Sequence, residues 1–260
     1  MQENENIMKS RQVVYLLVFL LLTPSLKAQL RINDSVVSTF IFSASYAFQF
    51  PTADNKAYFG FNSNIGVGIL YKTDKNWIHS LNGHFIFGDQ VHNREALFHM
   101  ISTSTGEIID GDGTFTSLAL FQRGYHFNIQ SGKIINVLAP NPNSGFFIQA
   151  GVGYLSHHIR IESQFGTAPQ IEGDYGKGYD KMRGGIALSA QAGYLLMSNS
   201  RILNLSLSAE YIHAWTNSQR DYSFDTMAKD ENKYSDSYFG FRLSWMIPTY
   251  RRAPQKYYYF

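Results

Sequence analysis

Side-chain alternation with a period of two residues constrains this chain more than any other feature of its sequence. In the first run, residues 40–50, bulky apolar side chains alternate with small or polar ones. Successive side chains of an extended strand point to opposite faces, so this pattern predicts a β-strand. The pattern recurs eight times, in runs that begin near residues 40, 59, 77, 114, 146, 185, 203 and 239. The sequence therefore predicts an all-β domain of eight strands.

The fourth run, about Thr114–Asn128, is the least regular of the eight. Its apolar face includes Phe121, Tyr125 and Phe127, but also Arg123. An extra residue in one strand shifts the side-chain parity, so we expect a β-bulge or a parity change near Arg123.

The connections between the runs alternate in length. On one side lie the turns Thr73–Asn76 and Ser198–Arg201 and a longer one, Gln130–Ser144. On the other side lie Pro51–Ala57, Asp89–Gly113, Gln164–Met182 and Thr216–Lys233, and three of these four are long and polar. Short turns opposite long loops are typical of outer-membrane barrels. We therefore expect a closed antiparallel up-and-down barrel, with its short turns and both chain ends on the periplasmic side.

The composition of the two strand faces indicates which face meets lipid. The apolar faces are large and aromatic, with more bulk than an eight-stranded interior holds. The opposite faces are rich in Gly, Ser, Asn and Gln and nearly free of Lys and Asp, whereas a soluble exterior carries many charges. Aromatic residues also gather near strand ends, as in interfacial girdles, where we place Tyr71, Trp77, Trp215 and Trp245. These features favour a transmembrane barrel over a soluble one.

The N-terminus has the three parts of a secretory signal. Lys9 and Arg11 precede the apolar run 13–22, and Ala28 is a small residue at the exit. The run is about half the length that a spanning helix needs, which disfavours the alternative of an uncleaved anchor. We expect a signal peptide in residues 1–28, a barrel in residues 29–248 and a periplasmic tail in residues 249–260.

The signal peptide, the eight strands and the late strand Tyr238–Trp245 together resemble the small outer-membrane barrels with the architecture of the OmpA transmembrane domain and OmpX. The Lys-Ala-Gln exit of residues 27–29 and the many Tyr and Asn residues resemble outer-membrane proteins of Bacteroidota. The resemblance covers about residues 29–250 and implies the outer membrane of a Gram-negative bacterium as location and its lipid as partner. It implies no particular activity, because one fold hosts many functions.

A polar network is expected inside the barrel. Glu210 and Arg242 lie on the small polar faces of neighbouring runs at similar depth, which predicts a lumenal ion pair that locks the barrel. Gln149, Gln191, His84 and His126 are expected to join it. The alternative role for this network is a proton path, an ion path or a catalytic carboxylate.

Residue spacing gives little support to metal or catalytic chemistry. The chain has no cysteine. His157 and His158 are adjacent, so in a strand they face opposite ways and are poorly placed to share one ion. Asp110-Gly111-Asp112-Gly113 lacks the later glutamate of a calcium loop and predicts a turn. Lipid hydrolases of the outer membrane resemble one another in a His-x-Ser arrangement, which is absent here. We therefore expect no metal, no cofactor and no catalytic residue.

Two regions are candidates for binding a protein partner. One is the long-loop side, about residues 163–182 and 216–233, with the charged residues Arg220, Asp221, Asp225, Lys229, Asp230 and Glu231. The other is the tail after Pro248, which is basic and then aromatic: Arg251, Arg252, Lys256, Tyr257, Tyr258, Tyr259 and Phe260. The net charge of +2 gives no nucleic-acid footprint.

Three classes of function remain. We favour a structural or interaction role, as an accessory component of an envelope or secretion assembly. A channel for small solutes is the alternative, although an eight-stranded interior is just filled by side chains. A lipid-modifying enzyme is the third class.

Overall fold

The computed structural model describes residues 36–164, 166–198 and 203–249. The predicted signal peptide and the tail residues 250–260 lie outside these described residues. The barrel strands are β1 (Thr39–Pro51), β2 (Asn62–Lys72), β3 (Trp77–Gly88), β6 (Leu118–Ile135), β7 (Gly145–Ser163), β8 (Arg183–Met197), β9 (Asn204–Ser218) and β10 (Lys233–Pro248). The short strands β4 (Ile108–Ile109) and β5 (Phe115–Thr116) pair with each other outside the barrel.

The eight long strands form one closed ring. Each pairs antiparallel with the next along the chain, and β10 pairs back onto β1, with Phe48 opposite Phe241. A closed ring leaves no unpaired strand edge, which a bilayer would not tolerate. The prediction of an all-β, closed, eight-stranded up-and-down barrel is confirmed.

The expected bulge near Arg123 is wrong. Pairing continues without a break through this residue, which lies opposite Phe87 of β3 and His158 of β7. Arg123 keeps the outward parity of its strand, and its guanidinium lies 5.0 Å from the ring centroid of Phe121. On the β7 side its outward neighbours are polar, because His158 lies opposite Arg123 and Arg160 lies opposite Phe121.

Strand β6 also continues beyond the predicted end of the fourth run at Asn128. It extends to Ile135, so the turn to β7 spans residues 136–144. The sequence pattern fades there because Ser131 and Lys133 occupy outward positions of the strand. The start of that run, Phe115–Thr116, belongs instead to the short hairpin of β4 and β5.

Inside the barrel, side chains form layers along the axis. Next to the short turns lies a turn-end plug of buried apolar residues, and nearer the long loops lies an upper apolar layer. The plug consists of Ile41, Leu70, Ile78, Ile134, Phe147, Leu195, Met197 and Met246. The upper apolar layer consists of Ile86, Leu155, Ala187, Ile212, Ala214 and Tyr238. Polar residues occupy the space between these two layers.

The four long loops (residues 52–61, 89–117, 164–182 and 219–232, with Phe165 outside the description) form what we call the loop cap. They include two short α-helices, α1 (Arg94–Phe98) and α2 (Gly173–Gly176), and two 3-10 turns, Asp54–Ala57 and Pro169–Ile171. No helix among the described residues has the length and apolar character needed to cross a membrane.

The loop cap has an apolar core of its own. Its buried residues are Phe59, Leu97, Phe98, Ile108, Ala168, Ile171 and Tyr179, packed with Leu118 and Ile159 at the barrel rim. Phe224 of the last loop packs against this core, so all four loops contribute to it. Burial of this much apolar surface orders the loops against each other.

Candidate functional site

A bidentate ion pair lies in the middle of the lumen, between the two apolar layers. Arg242 of β10 donates from Nε to Glu210 Oε2 over 2.6 Å and from Nη2 to Glu210 Oε1 over 3.0 Å. Both side chains are buried. The two residues are diagonal neighbours, because Glu210 lies opposite Gly240 and Arg242 lies opposite Ser208.

Polar neighbours complete the hydrogen bonding of this pair. Arg242 Nη1 donates to Ser45 Oγ over 2.8 Å and lies 3.2 Å from His84 Nδ1, while Nη2 donates to Asn64 Oδ1 over 3.0 Å. Gln49 Nε2 donates to Glu210 Oε1 over 2.8 Å. We call these six residues the charged belt. A buried pair with this many hydrogen bonds resists separation, since either partner alone would be a buried unpaired charge.

His84 reaches the belt because the wall beside it lacks a side chain. Gly66 lies opposite His84 on β2, and a Cβ atom built on Gly66 would collide with the imidazole Nδ1. On its other side, the ring of His84 stacks on that of His126, with centroids 5.6 Å apart.

Of the other predicted network residues, the structure places Gln149 and Gln191 in the same lumen but in separate hydrogen bonds. Gln149 accepts from Ser80 Oγ over 3.3 Å, and Gln191 donates to Ser208 Oγ over 2.6 Å. Sequence reasoning did not identify Gln49, Asn64 and Ser45. Their inward positions on β1 and β2, among the small polar residues of the alternating pattern, could have identified them.

The space around the belt is small. The cavity that these residues line has a volume of about 40 Å³, which is room for about three water molecules. The turn-end plug covers it on one side and the upper apolar layer on the other. The charged belt is therefore buried between two apolar layers of the lumen.

A second group of charges, which we call the upper cluster, lies above the upper apolar layer at the base of the loop cap. Asp236 Oδ2 accepts from His157 Nε2 over 2.8 Å and from Thr216 Oγ1 over 2.5 Å. Arg183 Nη1 lies 3.6 Å from Asp236 Oδ1, an ion-pair distance without a hydrogen bond. All four side chains are buried.

Aromatic rings hold the Arg183 guanidinium of the upper cluster. Its carbon Cζ lies 3.4 Å from the ring centroid of Tyr234 and 5.2 Å from that of Tyr58. Tyr58 belongs to the first loop, so this contact joins the barrel interior to the loop cap. His157 also contacts the cap, since its ring meets Phe59 edge to face at 5.3 Å.

Ion pairs link the third and fourth loops of the cap. Arg220 pairs with Asp180 through two guanidinium nitrogens, and Lys181 Nζ donates to Asp225 Oδ1 over 2.6 Å. Burial raises the pKa of Asp225, but hydrogen bonds from Lys181 and Ser223 outweigh burial and hold that pKa below its usual value. The cap is therefore ordered by charge pairing as well as by its apolar core.

The outer wall carries the bulky apolar side chains. Residues such as Val67, Phe127 and Ile186 face outward and are more than half exposed. Tyr71, Trp77 and Trp245 lie outward near the short turns, and Trp215 lies outward near the loop cap. Apolar side chains outside and polar side chains inside are the reverse of a soluble barrel. The chain therefore forms a transmembrane β-barrel.

Known structures of small outer-membrane barrels resemble this chain. Neisserial surface protein A is 9% identical with a TM-score of 0.40, and 80% of this chain covers 96% of that one. Ail, the attachment invasion locus protein of Yersinia pestis, solved with the heparin analogue sucrose octasulfate, is 11% identical with a TM-score of 0.38 and coverages of 81% and 99%. OprG of Pseudomonas aeruginosa is 11% identical with a TM-score of 0.39 and coverages of 83% and 98%.

These likenesses concern the fold alone, and the strand pairing of this chain already defines that fold. The predicted architecture of a small eight-stranded barrel is confirmed. No protein-family model matches the sequence, and no curated protein matches it.

The structure also tests the predictions for the histidine pair and the Asp110 turn. His157 faces the lumen and His158 faces outward, as their adjacency requires. Asp110 accepts from Thr114 and Asp112 within a turn. No group of three or more His, Asp or Glu among the described residues is arranged to hold a metal ion. The tail residues Arg251, Arg252, Lys256, Tyr257, Tyr258, Tyr259 and Phe260 lie outside the described residues.

Sequence reasoning missed the upper cluster entirely. The eighth run was expected to begin at Phe239, whereas β10 begins at Lys233 and carries Asp236 inward. The inward parity of Tyr238 and Gly240, extended by one more step, would have identified Asp236. Its partners His157 and Arg183 come from β7 and β8, and only the closed ring brings them together.

Proposed function

We propose that this protein is an interaction protein of the Gram-negative envelope: a closed barrel that holds an ordered loop cap outside the membrane for a protein partner. Export through the signal peptide of residues 1–28 is part of this proposal. The observation that carries it is that all four long loops share one buried core. Loops ordered in this way present a defined surface, and preorganisation lowers the entropic cost of binding.

The outer surface of the cap supports the proposal. It exposes the large side chains Met100, Ile109, Phe115, Tyr175, Tyr222 and Met227. Aromatic residues and methionine are enriched at protein–protein interfaces, whereas a merely solvated loop has few of them. Ile109 and Phe115 are cross-strand partners in the small hairpin of β4 and β5, so this apolar pair is held in place.

The closed lumen supports the interaction role against the alternative of a small-solute channel. The charged belt favours the channel alternative, since charged side chains in a lumen select ions in many pores. The plug and the upper apolar layer oppose it, because they cover the belt on both sides. The proposal assigns no catalytic residue to the lumen or to the cap.

A conductance measurement tests the closed-lumen part of the proposal. The full chain, reconstituted in planar bilayers, should show no resolved single-channel steps. A variant with Phe147→Ser and Leu195→Ser in the turn-end plug and Ile86→Ser and Ile212→Ser in the upper apolar layer opens both covers, serves as the positive control for insertion and should conduct. Regular steps from the unmodified chain would favour the channel instead.

Site-specific photo-crosslinking in intact cells tests the partner part. A photoreactive residue in place of Tyr175 on the cap should give a discrete protein adduct. The same residue in place of Val67 on the lipid-facing wall is the matched control and should give no such adduct. Adducts of equal pattern at both positions, or none at Tyr175, would refute the interaction role.

A further inference from the structure

The lipid-facing wall is interrupted at one place in its turn half, the half next to the short turns. Among the described strand residues there, three outward positions carry polar side chains other than Tyr and Trp: His79, Ser131 and Lys133. All three are exposed and all lie on the neighbouring strands β3 and β6. We call these residues, together with Trp77, the β3–β6 seam.

Strand pairing stacks the seam into two rungs. Trp77 lies opposite Lys133, and His79 lies opposite Ser131. The Lys133 ammonium is 5.6 Å from the centroid of the Trp77 ring, and Ser131 Oγ is 3.0 Å from His79 Nδ1. Because one rung is two residues further from the turn, the His–Ser rung lies roughly 7 Å deeper along the strands than the Trp–Lys rung.

The deeper rung keeps a hydrogen-bond donor for a further partner. Neutral imidazole has one donor nitrogen and one acceptor nitrogen. If Ser131 donates to Nδ1, then His79 Nε2 carries the remaining proton, and if Nδ1 donates, the Ser131 hydroxyl is free to donate. Either assignment leaves one donor on an exposed surface that faces lipid, where an unpaired polar group costs free energy.

Charges near the seam favour an anion. Lys133 is the cation of the seam, and Lys75 and Asp74 lie in the turn below it, where they balance each other in formal charge. Lys72 is buried with its ammonium on Asn143, so it does not reach the seam. Among the described residues, no carboxylate accepts a hydrogen bond from His79, which leaves the His–Ser pair without the acid partner that hydrolytic catalysis uses.

We propose that the β3–β6 seam binds the phosphate of an anionic phospholipid in the leaflet next to the short turns. Lys133 supplies the positive charge at headgroup height, and the His79–Ser131 pair supplies a donor to a phosphate or ester oxygen just below it. The Trp77 ring lies beneath the Lys133 ammonium, and Tyr71, opposite His79 on β2, borders the site. The proposal depends on the orientation of the wall toward lipid and not on the role of the loop cap.

Native mass spectrometry of the full chain, extracted from nanodiscs that contain equal amounts of phosphatidylglycerol and phosphatidylcholine, tests the seam. The unmodified protein should retain phosphatidylglycerol preferentially. Lys133→Gln should weaken that retention about tenfold, the effect of losing ~1.4 kcal/mol. His79→Phe should lower it in the same direction. Both substitutions lie on the outer surface, and heat-modifiable gel mobility verifies that each variant is folded.

Lys233→Gln is the matched control, because Lys233 is an exposed lysine on the wall at the opposite end of the barrel. It should leave the retention of phosphatidylglycerol unchanged. Equal losses for Lys133→Gln and Lys233→Gln would show general charge attraction and overturn the proposal. Unchanged retention in folded Lys133→Gln would overturn it as well, without affecting the proposed function of the cap.

Discussion

The barrel contains two buried groups of charges that differ in how completely they are hydrogen-bonded. In the charged belt, every nitrogen of the Arg242 guanidinium has an oxygen or nitrogen partner within 3.2 Å, and both Glu210 oxygens accept. In the upper cluster, Asp236 Oδ1, His157 Nδ1 and Arg183 Nη1 have no hydrogen-bond partner among the described residues.

The two groups also differ in what surrounds them. The belt lies wholly inside the barrel lumen, between the turn-end plug and the upper apolar layer. The upper cluster touches Tyr58 and Phe59 of the first loop through Arg183 and His157. The comparison indicates that the belt locks the barrel itself, whereas the upper cluster connects the barrel to the loop cap. Three changes separate these two roles, in decreasing order of expected effect.

The largest effect is expected for Arg242→Met in the belt. The substitution leaves Glu210 buried without its cation, which should lower the free energy of unfolding by about 3–5 kcal/mol. Urea unfolding of the protein in detergent micelles, followed by tryptophan fluorescence, measures this loss. The trypsin sensitivity of the cap in the folded protein should change little.

The control for this change is the double variant Arg242→Met with Glu210→Leu. Removing both charges should recover most of the lost stability, because well-packed apolar residues replace a buried ion pair at little cost. A double variant no more stable than Arg242→Met alone would contradict the role of the pair as a lock.

A smaller and differently located effect is expected for Asp236→Asn in the upper cluster. The amide keeps the shape but loses the charged acceptor of His157 and Thr216, a loss of about 1.5–3 kcal/mol. The loop cap should then open more often, and trypsin should cleave faster after Lys177, Lys181 or Arg220. Mass spectrometry of the fragments over time measures the rate.

Glu210→Gln is the matched carboxylate-to-amide change in the belt. It should lower the stability of the whole barrel while the cleavage rate of the folded cap stays near that of the unmodified protein. If both variants accelerate cleavage equally, the two groups of charges do not have separate roles.

The smallest effect is expected from acidification of the cap. The folded pKa of Asp225 is lowered, so this carboxylate stabilises the cap above its unfolded pKa of about 3.9. That contribution is lost as the pH falls from there through the folded pKa. It should amount to under about 1 kcal/mol, because the Asp225–Lys181 pair is only partly buried.

Hydrogen exchange of the amides of residues 219–232, compared at pH 6 and pH 3 after correction for the intrinsic rate, measures this loosening. Asp225→Asn should remove the corrected difference between the two pH values for this loop. The amides of the barrel strands should keep their protection at both values. Loosening that persists in Asp225→Asn would assign the pH response to other carboxylates.

Part of the candidate sites could be predicted from the sequence, and the reason is parity. Glu210 and Arg242 were recognised because neighbouring strands of a meander must pair and both residues occupy inward positions. Lys133 and Ser131 were overlooked as strand residues, since two polar outward positions end the visible alternation of β6. Asp236 was not identified as a strand residue, because β10 begins six residues before its first aromatic outward residue, Phe239.

The sequence by itself determined the architecture of this protein. Period-two alternation specifies each strand and its two faces, and the short turns specify which strands are neighbours. Only the tertiary structure decided which side chains meet across the lumen and how the four loops pack. Closure of the ring brings Asp236 of β10 onto His157 and Arg183, which are cross-strand partners on β7 and β8. No local pattern encodes the contact of Asp236 with this pair, because it depends on the register of every strand between them.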